Sequence, residues 1–164
     1  MIRYRYVHVS DIHFGQERHG DKPIHDDVRI ELLQDCTNLR NTIGSADGIL
    51  VTGDVVYSGK REQYQIAGSW LDQLAERVGC DKTSIFVIPG NHDVNVVDIG
   101  TTCRLIHESL RSSPLDQLDD TLQSIGQDAD IGNPLLPKLA AYREFAERYG
   151  CDFIPDNYQP TRVY

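Results

Sequence analysis

The sequence predicts an α/β fold in which a layered sheet is joined by helical crossovers. Three short apolar, β-branched stretches alternate with two longer segments in which apolar residues recur every three or four positions. Strands that alternate with helices are typical of parallel sheets, because each parallel connection needs a crossover. Each predicted strand ends in a polar loop, so we expect three loops to meet at the edge of the sheet where the strands' carboxyl ends lie.

The first 95 residues contain the predicted sheet and both crossovers. The first strand lies in YVHV, where alternation points His8 into the sheet packing, and a helix follows over residues 24–43. The face of this helix expected to pack on the sheet consists of Val28, Leu32, Cys36, Leu39 and Ile43. A strand over 49–52 precedes a second helix, whose apolar face consists of Ala67, Trp70, Leu71, Leu74 and Val78. A third strand covers 85–88, and a Pro-Gly pair turns the chain after it.

From residue 96 onward, turn residues separate shorter helical segments, and we expect a helical insert or cap in the same domain. In one segment His107 lies at the edge of a helix face, as a surface or core-edge residue, and that face consists of Cys103, Ile106 and Leu110. A firmer helix is predicted over about 137–149, with a proline in its first turn. Residues 1–95 and 96–164 are thus predicted to be two parts of one domain.

The composition limits the partners of the chain. The formal net charge of −9 argues against a surface for non-specific nucleic-acid binding, which depends on Lys and Arg neutralising phosphates, so nucleic acid is not indicated by charge. No apolar run approaches the roughly 20 residues that span a bilayer, so we expect no membrane partner and a cytoplasmic location. The four cysteines have no CxxC spacing and are expected to be free thiols.

Candidate chemistry is concentrated in the three polar loops. They contain the runs Asp11-Ile-His13, Gly53-Asp54 and Gly90-Asn91-His92-Asp93. Asp-x-His and Gly-Asp are each common turn sequences, whereas Gly-Asn-His-Asp after a strand is rarer. Carboxylate, imidazole and amide oxygen are ligands that suit Mn²⁺, Fe or Zn²⁺, and one Asp can bridge two ions. Together and in this order, the three runs indicate a metal site.

In these three loops the sequence resembles the calcineurin-like metallophosphoesterases, whose first three motifs are D-x-H, G-D and G-N-H-[DE]. The resemblance covers most of residues 4–95. It implies a metal-dependent phosphoesterase that hydrolyses a phosphodiester or a nucleotide by two-metal activation of water. It also implies two divalent metal ions, whether Mn, Fe, Zn or Ni, with Asp54 as the bridge between them. The metal ligands that the resemblance implies are Asp11, His13, Asp54 and Asn91.

The resemblance also implies how the leaving group receives a proton. His92 would be the catalytic acid that protonates the leaving oxygen, and Asp93 would hold its ring. The alternative for Asp93 is a carboxylate at a helix N-terminus. One position departs from the family pattern, because many relatives carry Asp where Tyr57 stands. Tyr57 is therefore either a neighbour of the site or a packing residue.

The family's later motifs, a strand-end His and Gly-His-x-His, do not occur in these 164 residues. The fold is therefore expected to be metallophosphoesterase-like with an incomplete second half. The missing His ligands would come from a C-terminal remainder or a partner chain, and the fragment alone is expected to bind metal weakly. The alternatives are a non-catalytic interaction module of the same fold, or a nuclease effector domain of a larger multidomain protein. The retained site residues favour an enzyme, because a scaffold has no physical need of them.

Overall fold

A three-stranded parallel sheet lies at the centre of the computed structural model, which describes residues 4–16, 25–97, 100–127 and 137–151. The strands lie side by side in the order β1 (Tyr6–Val9), β2 (Gly48–Thr52) and β3 (Ile85–Ile88). Two helices make the crossovers, α1 (Asp26–Ile43) between β1 and β2 and α2 (Arg61–Val78) between β2 and β3. The predicted α/β fold with a parallel sheet and helical crossovers is confirmed.

One face of the sheet is covered by helices and carries the core. Alternate residues of β2 and β3 point to this face and are buried, namely Ile49, Val51, Ile85 and Val87. The helix α2 packs against α1 and against a later helix, α5 (Ala140–Glu147). The Tyr142 hydroxyl of α5 donates a hydrogen bond to the Val87 carbonyl at 3.0 Å. All five residues predicted for the apolar face of α2 are buried, as expected.

The opposite face of the sheet is exposed within the described part of the chain. Three of its apolar side chains are each about half exposed, namely Tyr6, Phe86 and Ile88. His8 lies on this face too, with its Nε2 2.7 Å from the Thr52 Oγ1. The expectation that His8 points into the packing is therefore wrong. The reason is that Val7 and Val9 take the covered face, so the residue between them points the other way.

The helix α1 buries a different face from the one its apolar spacing predicted. Val28, expected in the packing, is 66% exposed, whereas Arg29 is only 7% exposed. The Arg29 guanidinium donates hydrogen bonds to the Asp26 carboxylate at 3.1 Å and to the Ile12 carbonyl at 3.2 Å. It also lies 4.1 Å from the centre of the Phe14 ring. These contacts offset the cost of desolvating the buried guanidinium. The buried face of α1 is therefore rotated by about one residue from the predicted face.

Shorter helices follow β3. They are α3 (Thr101–Ser112), on which His107 is half-buried as expected, and α4 (Leu118–Gln127). The helix predicted from residue 137 begins as a 3-10 turn, Pro137–Leu139, and becomes α-helical only in α5.

All four cysteines are free thiols, as predicted. Within the described ranges, no helix is both long and apolar enough to cross a bilayer.

Candidate metal centre

Backbone hydrogen bonds align the loop after β1 with the loop after β2. They join Asp11 N to Gly53 O (3.2 Å), His13 N to Asp54 O (3.0 Å), Phe14 N to Val55 O (3.0 Å) and Tyr57 N to Phe14 O (3.0 Å). The parallel pairing of the two strands thus continues past their ends and closes in a bridge between Phe14 and Val56. This alignment holds the first two predicted motifs next to each other.

The loop after β3 reaches the same edge through Asp54 and two glycines. The Asp54 carboxylate accepts a hydrogen bond from the His92 backbone N–H at 2.9 Å. Gly53 and Gly90 permit the close approach, because a Cβ added to Gly53 would lie 2.9 Å from the Gly90 Cα. Asn91, between Gly90 and His92, is exposed at this edge. All three polar loops therefore converge at the carboxyl ends of the strands.

The backbone is in the left-handed region at three of the predicted metal ligands. Asp11, His13 and Asp54 have φ angles of 54°, 51° and 53°, and no other non-glycine residue in the described ranges has a positive φ. This conformation costs a residue with a Cβ of the order of 1 kcal/mol or more, although Asp tolerates it better than most. Strain of this kind collects at functional sites, where the surrounding structure enforces it.

The donors that the loops bring together fit a divalent cation. One ligand atom from each of His13, Asp54 and His92 lies within 4.8 Å of the others. The Nδ1 of His13 is buried without a hydrogen-bond partner, and its Nε2 lies 3.9 Å from an Asp11 carboxylate oxygen. Imidazole and carboxylate groups this close together form a ligand set that a divalent cation can occupy. The cluster overlaps the predicted ligands in His13 and Asp54 and adds His92, which the sequence assigned to acid catalysis.

The His92 ring contacts Tyr57. The Nδ1 of His92 lies 3.0 Å from the Tyr57 carbonyl oxygen. Because a carbonyl only accepts, Nδ1 must carry a proton in this contact, which leaves Nε2 as the nitrogen that exchanges protons or binds a ligand. The ring also lies 4.7 Å from the His13 ring, nearly perpendicular to it. The sequence analysis expected Asp93 to hold this ring, whereas the observed partner of Nδ1 is the Tyr57 carbonyl.

Asp93 is the most deeply buried acidic group of the site, with 0% exposure. Its carboxylate accepts hydrogen bonds from three backbone N–H groups and from the Tyr64 hydroxyl, at distances of 2.9 to 3.2 Å. The backbone donors belong to Val55, Val56 and Gly90. Burial and the adjacent Asp93 carboxylate raise the pKa of the Tyr64 hydroxyl, so it stays protonated and donates. Asp93 therefore ties the loop after β2 to the loop after β3.

Sequence reasoning missed Tyr64, and it did not reveal how Tyr57 contacts the site. Tyr64 gave no local signal, because its hydroxyl reaches Asp93 across 29 positions of the chain. The contact of Tyr57 is made by its main-chain carbonyl, which every residue has, so side-chain identity does not reveal it. The one available signal was that Tyr57 departs from the family pattern at that position.

Comparison with known proteins points to one family. Residues 4–155 match the family model described as calcineurin-like phosphoesterase. The chain is similar to the uncharacterized metallophosphoesterase-like protein YydB of Bacillus subtilis (strain 168), with 28% identity over 76% of this chain and 25% of that protein. It is also similar to the glycerophosphodiester phosphodiesterase GpdQ of Enterobacter lignolyticus (strain SCF1), with 31% identity over 53% of this chain and 28% of that protein. The matched regions thus span about a quarter of the length of these relatives.

Proposed function

This chain belongs to the calcineurin-like phosphoesterase family, and we propose that it supplies half of a two-metal centre that hydrolyses phosphodiesters or nucleotides. The observation that carries the proposal is the cluster of His13, Asp54 and His92, in which one ligand atom from each residue lies within 4.8 Å of the others. The left-handed backbone at His13 and Asp54 gives independent support, since such strain persists where the surrounding structure enforces it for function.

We assign the metal ligands residue by residue. Asp11 and His13 would hold one divalent ion and Asn91 the second, with Asp54 as a ligand common to both, whether the metal is Mn, Fe, Zn or Ni. When bound, such a pair of ions polarises the phosphoryl oxygens and lowers the pKa of water. The remaining His ligands come from the remainder of the native protein or from a partner chain.

We assign the proton donor to His92. Its Nδ1 is engaged with the Tyr57 carbonyl, so its Nε2 is the nitrogen that delivers a proton to the leaving oxygen when the P–O bond breaks. The hydrogen bond from the His92 backbone to the Asp54 carboxylate keeps the acid beside the ligands. A diester is the preferred substrate, since a similar protein bears the name glycerophosphodiester phosphodiesterase.

The ligand assignment is tested by replacing Asp54. In the native protein, Asp54→Ala should remove bound Mn²⁺, measured by calorimetry and by elemental analysis, and should abolish hydrolysis of every diester tested. The matched control is Asp119→Ala, which removes an exposed carboxylate on α4 and should leave metal content and rate unchanged. Native metal content and rate in Asp54→Ala would overturn the assignment.

The acid is tested by the leaving group. His92→Ala should slow hydrolysis of an alkyl diester by about 10²–10⁴-fold, because an alkoxide must be protonated as it departs. It should slow a nitrophenyl diester far less, because nitrophenolate leaves without help. The quantity to compare is the ratio of the two rates at saturating Mn²⁺. Equal losses on both substrates would show that His92 acts in binding or charge stabilisation and not as the acid.

A further inference from the structure

We propose that Tyr57 is a positioning residue for His92, holding both the tautomer and the orientation of the imidazole. The proposal rests on the assigned role of His92 as the acid. Two contacts carry it: the Tyr57 carbonyl lies 3.0 Å from the His92 Nδ1, and the two rings stack with centres 5.1 Å apart and planes 22° from parallel. The carbonyl fixes which nitrogen holds the proton, and the stacked ring restrains rotation of the imidazole.

The side chain of Tyr57 faces the site and not the core. It is 37% exposed, whereas its neighbours Val55 and Val56 are fully buried. The ring contacts described for Tyr57 are with the two site histidines, His92 by stacking and His13 at 6.1 Å by an edge contact. A residue selected only for packing would bury its ring. An exposed ring against two imidazoles instead forms one wall of the centre.

The carbonyl of Tyr57 is itself held in place. The Tyr57 N–H donates to the Phe14 carbonyl at 3.0 Å, and Phe14 is 2% exposed. The next residue, Ser58, donates from its backbone and hydroxyl to the Gln63 side chain at the start of α2. Because both flanks are tied to buried structure, the carbonyl is a fixed acceptor, and the His92 ring takes its orientation from it.

The first test reads the ring directly and needs no turnover. In metal-free native protein at about pH 8, where an ordinary imidazole is neutral, ¹⁵N NMR should show His92 as a single tautomer with a proton on Nδ1. Tyr57→Ala keeps the carbonyl and removes the stacked ring, so Nδ1 should keep its proton while NMR relaxation shows a more mobile imidazole. Tyr57→Phe, which keeps the ring, should match the native protein. Tyr57→Leu, which keeps most of the bulk, replaces Tyr57→Ala should the latter fail to fold. A native-like rigid imidazole in the variants that lack the ring, or a proton on Nε2 in the native protein, would overturn the proposal.

The second test uses the leaving group. With Mn²⁺ bound, Tyr57→Ala should lower kcat on an alkyl diester by about tenfold or more, as partial loss of acid catalysis predicts, with KM little changed. The nitrophenyl diester should lose less than about threefold, and Tyr57→Phe should restore the native ratio. The matched control is Tyr4→Ala, on an exposed tyrosine outside the site. Equal losses of kcat on both esters in Tyr57→Ala would refute the positioning role. If His92→Ala still slowed the alkyl diester more than the nitrophenyl diester, the acid assignment would stand.

Discussion

Gly90 lies directly against Asp54, so that a Cβ added to Gly90 would overlap the Asp54 carboxylate and lie 2.5 Å from the Asp54 backbone nitrogen. No rotamer change relieves a contact with a main-chain nitrogen. The loops after β2 and β3 therefore meet at a separation that only glycine permits. The Asp54 carboxylate is therefore placed by this close approach together with its hydrogen bond from the His92 backbone.

We expect Gly90→Ala to lower the affinity for Mn²⁺ by at least about tenfold and to destabilise the protein by about 1–3 kcal/mol through overpacking. Calorimetry and urea unfolding measure the two effects. Gly100→Ala is the matched control, because a Cβ there would meet nothing within 4 Å. An unchanged Mn²⁺ affinity in Gly90→Ala would show that Asp54 is not a ligand in the assigned position.

Asp93→Asn separates a structural role from a catalytic one. The carboxylate is fully buried and accepts three backbone hydrogen bonds and one from Tyr64, so its neutralisation should cost more than about 2 kcal/mol of unfolding free energy. Asp119→Asn, at an exposed position on α4, should be neutral. The contrary outcome is an Asp93→Asn variant that unfolds at the same urea concentration as the native protein but no longer distinguishes alkyl from nitrophenyl diesters. That outcome would show that Asp93 holds the His92 ring.

Because the pKa of the Tyr64 hydroxyl is raised, we expect the protein to become less stable at alkaline pH. Burial beside Asp93 raises this pKa above the value of about 10 in the unfolded chain. The stability that this hydroxyl contributes is therefore fully present below about pH 10 and is lost as the pH rises further, because only the unfolded state releases the proton. Tyr64→Phe should be less stable at neutral pH, through loss of the bond to Asp93, and should show a shallower alkaline decline. Thermal unfolding from pH 7 to 11 measures both. An unchanged alkaline slope in the variant would contradict the assignment.

Within a single strand, the two faces of the sheet predict different stability losses for the same substitution. Ile85 is fully buried, and Ile85→Ala should cost about 2–5 kcal/mol. Ile88 is 52% exposed on the open face, and Ile88→Ala should cost about 1 kcal/mol or less. Urea unfolding of the two variants provides the comparison. An equal cost at both positions would show that part of the native protein outside the described residues covers this face.

The strands and their loops were predictable from sequence because their signals are local. The β3 prediction matches the observed Ile85–Ile88 residue for residue, and the polar loops follow directly. The buried face of α1 was not predictable, because apolar residues occur around that helix and the deciding contacts of Arg29 are non-local. The contact of the His92 ring with the Tyr57 carbonyl was not predictable either, because every residue has a main-chain carbonyl. The metal-ligand roles and the division at residue 95 stay predictions.

The backbone is left-handed at Asp11, His13 and Asp54, so selection for folding and selection for metal binding should favour different residues at these three positions. A library randomised there and sorted only for folding should enrich Gly and Asn, which occupy this conformation most easily. The same library sorted for retained metal should return Asp and His. A thermostabilised variant recovered by the first sort would thus keep the sheet and helices and lose the proposed metal centre, so that metal binding and stability would compete within two short loops.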